Sequence, residues 1–593
     1  MSPFRVFVHY LARYRKRYFV GFICLLGASV IVMLPPVVLR RAIDAIDAGL
    51  NGGDGPSRWD LAAYGGIILA FAVVEGFLRF ASRLLVSGTS RTVEYEIRNE
   101  LAAHQMRMDQ AFYTRSQTGD LMARATNDLQ MVRDLLGPTL IDLVRVFVML
   151  IVGFCFLLTV NVRLALIAYA YFPIVAILIG AFGHIVEMKY RAVQDQFGVL
   201  STRVQENISG MRTIKAYAQE DVETAGFAKA NREMMRRSMS WAFYTGAFFP
   251  LMMVATGAST ILVLWFGGRD VVNGTITLGQ FVQFNTYLVI LANPLMSLGW
   301  SATALQQGMA STRRITEILG TPVVIADAPK PAQVERLLGD IEFRNVTAGY
   351  LDEPVLEGLN LHISQGSTVA LVGGTGAGKT TLVNLIVRLA DPWEGEVLLD
   401  GHNVKDLPLE QERGSVGFVP QETFLFSDPL KDNISYGRRD ASESQIQYAL
   451  VTSQLANDIP QLTHGLETVI GERGVTLSGG QKQRAALARA IIKDPPILIL
   501  DDALSHVDTH TEEEILRRLH NFMAERTTII IAHRTSTLAS ADIILVLDDG
   551  KVAESGSHAE LLVQNGLYSR FYRRQLLAEQ LEDDDAAVAE SPA

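Results

Sequence analysis

The sequence predicts two joined fold classes: a membrane all-α domain of six long helices extended into the cytoplasm, then an α/β domain built around a phosphate-binding loop. Three observations carry this reading. Up to about Leu305 the chain holds six mainly apolar stretches, near 18–40, 61–86, 135–160, 162–186, 240–267 and 277–303. A helix needs roughly 20 such residues to cross the ~30 Å hydrocarbon layer of a bilayer. From Arg313 onward, polar-faced strand-like and helix-like segments alternate instead. Finally, Gly373-Gly374-Thr375-Gly376-Ala377-Gly378-Lys379-Thr380 fits G-x-x-x-x-G-K-[ST]. It lies between the apolar run Thr368–Val372 and the helix-like Thr381–Ile386, the strand–loop–helix setting such a loop requires.

Composition agrees with a two-part chain. At 593 residues it exceeds one ordinary domain. Hydrophobic content of 49% leans towards a membrane, while 20% charged residues require a large water-exposed part. A net charge of −10 argues against a general nucleic-acid role. The two cysteines, Cys24 and Cys155, sit in apolar runs and read as small buried hydrophobes; a disulfide framework is excluded. The first 17 residues are basic (Arg5, Arg13, Arg15, Lys16, Arg17) and read as an entry elbow. The apolar stretch after them is long and lacks a small-residue cleavage pattern, so it is not a signal peptide.

In the membrane part, residues 18–305, Pro35-Pro36 is expected to kink the first span and Pro294 the last. Arg and Lys concentrate in the N-terminus, in 87–134, in 187–239 and after 305, whereas the other loops are poorer or balanced by Asp44, Asp47, Asp54 and Asp270. Both the N-terminus and the C-terminal half are therefore cytoplasmic, as an even span count demands. The two long cytoplasmic connections contain few helix breakers, so the spans are expected to continue outward as helical hairpins. Glu75, Arg79 and Arg83 share one helix face, and Asp142 and Arg145 are three apart. They fit either a charged wall of a substrate cavity or intrahelical ion pairs, the second being preferred. The sixth span carries Gln280, Gln283, Asn285, Asn293, Ser297 and Trp300, which suit a cavity wall or helix–helix hydrogen bonds. Asn273-Gly274-Thr275 fits a glycosylation sequon and reads as coincidence.

Residues 306–338, with Pro322, Pro329 and Pro331, read as a linker to the soluble domain at 339–576. In the phosphate loop, glycines let backbone N–H groups curl around a phosphate, and the following helix N-terminus adds about half a positive charge. Lys379 would reach the β/γ-phosphates and Thr380 would ligate Mg²⁺. The apolar strand Ile497–Leu500 ends in Asp501-Asp502. Asp501 would hold the metal shell, and Asp502 would polarise the attacking water. Thr527–Ile531 leads to His533 at the sheet edge where α/β folds bind ligands. Gln421, after the strand-like Val416–Pro420, is a further candidate near the γ-phosphate, and Tyr350 a candidate for stacking on adenine. Leu477-Ser478-Gly479-Gly480-Gln481 opens another helix and makes a second anion nest. Two nests per nucleotide point to a dimer in which each chain's second nest closes on the other chain's ATP. The acidic tail at 577–593 reads as disordered.

With these residues in place, the chain resembles ABC transporters of exporter type, half-transporters with six membrane helices fused to one nucleotide-binding domain, over nearly its whole length. The phosphate loop 373–380 with Thr381, Gln421, the signature Leu477–Gln481, Asp501, the D-loop Ser505-His506-Val507-Asp508 and His533 match that family in order and spacing. Tyr350 sits at its adenine-stacking position, and Glu472-Arg473-Gly474 matches its segment facing the membrane half. Thr118-Gly119-Asp120 and 206–217 resemble its intracellular loops, with coupling-helix tips near 112–118 and 216–223. The resemblance implies ATP and Mg²⁺ as ligands, with Thr380, Gln421 and Asp501 about the metal.

One position departs from the pattern: the family's catalytic glutamate is Asp502 here. Its carboxylate stands on the order of 1 Å back from the attacking water, a displacement that can lower the rate about 100-fold. The resemblance therefore implies a heterodimer with a different chain that keeps the glutamate, this chain supplying the slow site and an intact signature. It also implies ATP-driven export or flopping of an amphiphile (drug-like, lipid or peptide) across a bacterial-type inner membrane. A homodimer with slow hydrolysis and an importer using the exporter fold are the alternatives; a soluble repair or translation ATPase conflicts with six apolar spans.

Overall fold

The structure, a computed structural model, describes residues 3–577 apart from 53, 351–352, 472–476, 508 and 533. It forms two compact units, Met1–Gln105 with Thr118–Thr321, and Met106–Gln117 with Pro322–Ala593.

The first unit is helical throughout. It contains α1 (Pro3–Arg13), α2 (Arg15–Ile31), α3 (Pro35–Leu50) and α4 (Arg58–Gln105), then, after α5 (Gln110–Arg115) of the other unit, α6 (Thr118–Ala123). α7 (Leu129–Asp134) and α8 (Leu140–Val160) continue the line through two π-helical turns, the second containing Pro138. α9 (Val162–Ser209), α10 (Met211–Ala216), α11 (Glu220–Val272) and α12 (Leu278–Leu319) complete it. Among the described residues, Arg15–Leu50, Arg58–Gln105, Thr118–Val160 and Leu278–Leu319 are long and apolar enough to cross a membrane. The fourth and fifth expected spans lie within α9 and α11, single helices of 48 and 53 residues. At 1.5 Å per residue, such helices run about 70–80 Å, more than twice the ~30 Å hydrocarbon layer. The expected extension beyond the bilayer is thus built from the same helices.

The two predicted kinks differ. Pro35 and Pro36 lack the N–H groups that would continue α2, so the helix stops and restarts at α3. Val37 N–H turns to Leu34 O at 2.9 Å, and the Met33 carbonyl is taken instead by the Tyr287 hydroxyl of α12 at 2.9 Å. Tyr287, Phe284 and Leu291 pack there with Met33, Leu157 and Leu164 into the unit's core. Pro294, by contrast, lies inside the uninterrupted α12. That helix also continues to Leu319, past the expected start of the linker at 306. Cys155 is exposed and Cys24 half-buried, correcting the expectation of two buried thiols. On an apolar membrane helix the outward side faces hydrocarbon, so an apolar residue gains nothing by turning inward. The same logic leaves Leu69, Val73, Phe77, Phe80 and Leu84 outward on α4.

In the second unit, four antiparallel strands pair in the order β2 (Glu353–Ile363), β1 (Ile341–Tyr350), β4 (Glu394–Leu399), β5 (His402–Asn403). A second sheet has the order β10 (Lys551–Gly556), β9 (Ile543–Asp548), β3 (Thr368–Gly373), β8 (Thr527–Ile531), β7 (Ile497–Asp501), β6 (Val416–Val419). All its neighbours are parallel except β10 on β9. The strands β3, β7 and β8 are buried along their whole length, which accounts for their unbroken apolar sequence. The helices are α13 (Lys379–Ile386), α14 (Leu409–Gly414), α15 (Leu430–Ser435), α16 (Glu443–Thr452), α17 (Gly479–Ile491), α18 (Thr509–Met523), α19 (Thr535–Ala539) and α20 (His558–Gln564). One core lies between the two sheets around Phe343, Leu371 and Ile499, and another packs α15–α18 against the opposite face around Leu430, Leu487 and Leu498. The Asp400 carboxylate accepts the N–H groups of Leu338, Gly339 and Asp340 at 2.6, 3.1 and 2.9 Å, fixing where the chain enters β1.

Candidate functional site

Parallel strands bring the C-terminal ends of β3, β8, β7 and β6 to one sheet edge, and four of the candidate segments follow those ends. After β3 the loop turns through Gly376 and Gly378, at φ 84° and 97°, a region that favours glycine. A Cβ on Gly374 or Gly376 would meet nothing within 4 Å, so the loop's concave side is open to a ligand. Gly378 is different, since a Cβ there would stand 2.6 Å from Leu356 Cδ2. Lys379 Nζ donates to Gly373 O and Gly374 O at 2.8 Å each, so its ammonium stands over the cradle. Burial holds this lysine below the usual range, while the carboxylates of Asp501 and Asp502 pull the other way.

At the end of β7, buried Asp501 accepts the Thr380 hydroxyl at 3.0 Å. A hydroxyl and a carboxylate meeting beside an open phosphate cradle form the hard-oxygen set that Mg²⁺ prefers, so the residues fit that ion. Asp502 has the left-handed backbone (φ 49°) that aspartate tolerates better than most residues. Its N–H bonds Ile531 O at 3.0 Å, and its carbonyl accepts the Ser505 hydroxyl at 3.1 Å. The backbone origin of the carboxylate is thereby fixed. Tyr350, at the end of β1 and partly exposed, shares a 3.3 Å hydrogen bond with the Thr381 hydroxyl, which places its ring beside the loop.

One expected member is not tied into this cluster. Gln421 lies exposed beyond β6 and, among the described residues, makes no hydrogen bond with Thr380 or Asp501. His533 lies outside the described residues, as do Glu472-Arg473-Gly474, Asp508 and the tail from 578.

The second nest stands at the start of α17. Ser478 caps the helix, and Gln481 closes a capping box with it at 3.2 and 3.0 Å. The first helical N–H groups, those of Gly479 and Gly480, have no intrahelical acceptor and remain the anion-facing pair. Sequence reasoning missed what holds this end. Asp458 accepts Gln481 Nε2 at 3.1 Å and Arg484 Nη2 at 2.7 Å. The turn Ala503–Val507 packs on the glycines: a Cβ on Gly479 would stand 3.3 Å from His506 Cβ, and one on Gly480 2.9 Å from His506 O. Buried Gln483, one helical turn after Gly479, ties that turn down through Ser505 at 2.9 Å and Asp502 O at 3.4 Å. Only the i, i+4 spacing of Gly479 and Gln483 hinted at this in the sequence.

In the first unit the charged positions converge. Glu75 pairs with Arg79, and Asp142 with Arg145 at 3.0 Å. Both pairs, with Arg83, Ser82 and Ser29, line one small pocket of about 50 Å³ between α2, α4 and α8. The intrahelical ion pairs are thus present, and both border this pocket. Ser82 Oγ and Arg145 Nε are buried without a hydrogen-bond partner among the described residues. The sixth-span polar residues do other work: Gln280 closes the cap of α12 with Thr277, Gln283 bonds Tyr287 at 3.1 Å, and Ser297 bonds Pro294 O at 2.8 Å. The stretch near 112–118 holds the short helix α5, capped by Asp109, and the stretch near 216–223 holds the turn between α10 and α11.

The profile of the ABC transporter transmembrane region matches residues 18–295, and that of the ABC transporter nucleotide-binding region matches 356–505. A probable multidrug resistance ABC transporter ATP-binding/permease protein of Bacillus subtilis, YheI, is 36% identical over 95% of this chain and 96% of its own. The chain belongs to the ABC transporter family. This ABC transporter is also 34% identical to the Escherichia coli multidrug resistance-like ATP-binding protein MdlA, over 97% of both chains. The ATP-dependent lipid A-core flippase of Syntrophus aciditrophicus is 34% identical over 97% of this chain and 95% of its own. A solved bacterial Atm1-family ABC exporter with ATP bound superposes with a TM-score of 0.76 at 28% identity, covering 95% of this chain and 99% of that one. The fused membrane and nucleotide regions make the chain a half-size, multi-pass exporter subunit that binds ATP and couples its hydrolysis to transport. One membrane region and one nucleotide region per chain imply assembly in pairs.

Proposed function

We propose that this ABC transporter moves an amphiphilic, anionic substrate outward across the inner membrane, paired with a different half-transporter that retains the catalytic glutamate. Asp502 carries this reading. Its backbone is held at both N–H and carbonyl, so the shorter side chain cannot be offset by a shift of the turn. The carboxylate falls on the order of 1 Å short of the water-polarising position, and hydrolysis at this chain's own loop is slow.

In this scheme Gly373–Thr381 and Tyr350 hold ATP, with Thr380, Gln421 and Asp501 about Mg²⁺. When bound, the metal neutralises charge on the β- and γ-phosphates. Lys379 leaves the carbonyls of Gly373 and Gly374 for the phosphate oxygens. Asp502 and His533 complete the slow site, while Ser478, Gly479, Gly480 and Gln481 close on the second chain's ATP, where most turnover occurs. Closure draws in the tips at α5 and at the turn after α10 and opens the membrane part outward. Exposed Met211, Tyr217 and Val222 around the second tip suit a contact with the second chain. Arg83, left over in the membrane pocket after the two ion pairs, suits an anionic headgroup, and the flippase and multidrug relatives fit a lipid or drug-like cargo.

The test uses the complex isolated with its second half-transporter. Asp502→Ala should leave most ATPase activity, and Ser478→Arg should abolish it. Loss of turnover in Asp502→Ala alone, or isolation of an active homodimer, would overturn the asymmetric-site reading.

A further inference from the structure

Asp458 is buried at the bend between two 3₁₀ turns, Leu455–Asn457 and Ile459–Gln461, outside the signature itself. Each of its carboxylate oxygens serves one residue of α17: Oδ1 accepts Gln481 Nε2 at 3.1 Å, and Oδ2 accepts Arg484 Nη2 at 2.7 Å. Gln481 and Arg484 are three positions apart, so they share the face of α17 that meets this bend. The other end of the Gln481 amide is also taken. Its Oε1 accepts the Ser478 backbone N–H at 3.0 Å. A backbone N–H can only donate and a carboxylate can only accept, so the amide has one orientation, oxygen to Ser478 and nitrogen to Asp458. The bend is anchored from behind on α18, where Gln454 Nε2 donates to Glu514 Oε2 at 2.9 Å and Asn457 Nδ2 donates to Gln454 Oε1 at 2.7 Å. A line of directed bonds thus runs from α18 through the bend, Asp458 and Gln481 to Ser478, the residue before the two signature glycines.

We propose that Asp458 is a positioning residue of the signature nest: it holds the Gln481 amide, and through it aims the Gly479 and Gly480 N–H groups before an anion arrives. This rests on the reading above, that the nest closes on the second chain's nucleotide. Preset direction is what makes such a nest effective, since a displacement of about 1 Å can lower a rate about 100-fold. Arg484 does separate work. A bare carboxylate beside an anion nest would repel the phosphate, and the guanidinium cancels that charge while leaving Oδ1 to Gln481.

The experiment reads ATPase turnover of the complex with its second half-transporter, beside Mg-ATP binding by the full chain alone in detergent, which reports its own loop. Asp458→Asn keeps the shape. Arg484 can only donate, so it takes the asparagine oxygen and turns Nδ2 towards Gln481, setting two donors against each other. This variant should lower kcat by about 10- to 100-fold, with binding at the chain's own loop unchanged. Gln481→Glu sets two carboxylates against each other and should be similarly impaired. Asp458→Asn combined with Gln481→Glu restores a donor facing an acceptor, still accepts the Ser478 N–H and keeps one negative charge near Arg484. It should recover turnover to within a few-fold of wild type, and it decides the matter even where a single variant fails to assemble. If the double variant stays as slow as the single ones, or if own-loop binding falls together with turnover, Asp458 only supports the fold and the proposal is wrong. If Ser478→Arg abolishes turnover but Asp458→Asn retains it, the assignment to Asp458 is wrong and the nest reading survives. If Ser478→Arg leaves turnover intact, the nest reading itself falls.

Discussion

Glu412 offers a measurable test of burial in this fold. It sits in the short helix α14, fully buried, and neither carboxylate oxygen has a hydrogen-bond partner among the described residues. Burial pushes its carboxyl from the ordinary 4.5 up to about 8; Arg388 and Arg413 partly oppose the shift, and Asp391 and Asp327 add to it. Both arginines are engaged elsewhere, Arg388 with Asp391 at 3.0 Å and Arg413 with Arg388 O at 2.9 Å, so neither neutralises Glu412 directly. The folded chain therefore keeps a proton that the unfolded chain releases above about pH 4.5. Stability falls as pH rises between that value and about 8, by about 5 kcal/mol in total as an upper figure. Glu412→Met fills the same space without a charge and should remove this slope. Each kcal/mol moves Tm by about 2–4 °C in a domain of this size, so the variant's advantage should grow by on the order of 10 °C between pH 5 and pH 9. The assay is thermal loss of nucleotide binding by the full chain in detergent. Parallel pH profiles for variant and wild type would refute the argument, since they would mean that water or an arginine reaches the carboxylate.

Two further outcomes follow from geometry already described. Gly378→Ala places a Cβ against Leu356 at a left-handed φ, adding at least 1 kcal/mol of strain, and should weaken ATP binding at this chain's own loop more than 10-fold in equilibrium binding. In the membrane unit, buried Asp128 receives Arg314 and, at 2.9 Å, Ser311; these bonds outweigh burial and hold its carboxyl below the usual range. Asp128→Asn should cost about 1–3 kcal/mol near neutral pH. Because the depressed pKa contributes stability only above it, variant and wild type should converge as pH falls below about 4, read by thermal melts in detergent.

The parts of the site written in local backbone chemistry were legible in advance. The 373–380 loop, the capped start at Ser478 and the aspartates closing β7 each declare themselves within a few residues, through φ freedom, missing Cβ atoms or an apolar run ending in a carboxylate. Six spans and their extension also follow from one-dimensional periodicity. Contacts made across the fold were not legible. Beyond the spacing of Gly479 and Gln483, nothing near 483 announces that its amide reaches 505 and 506. Glu75 and Asp142 are 67 positions apart, and only α2, packed against both α4 and α8, brings them to one pocket. Glu412 reads as an ordinary surface acid in a polar stretch, because exposure is decided by the sheet beneath it. Cys155 misled for the opposite reason: in a bilayer, apolar does not mean inward.

The amide of Gln483 touches the carbonyl of Asp502 on one side and the ring and backbone of His506 on the other. In the pairing proposed above, those groups would belong to two different ATP sites. A rigid planar group a few ångströms across cannot shift at one edge without shifting at the other. Under that proposal, occupancy of one site and closure of the other would be joined in a single thermodynamic cycle. Whatever factor one nucleotide applies to the affinity of the other must be returned in equal measure. A slow site wired in this way would act as a sensor, reporting to the proposed pair that ATP is present.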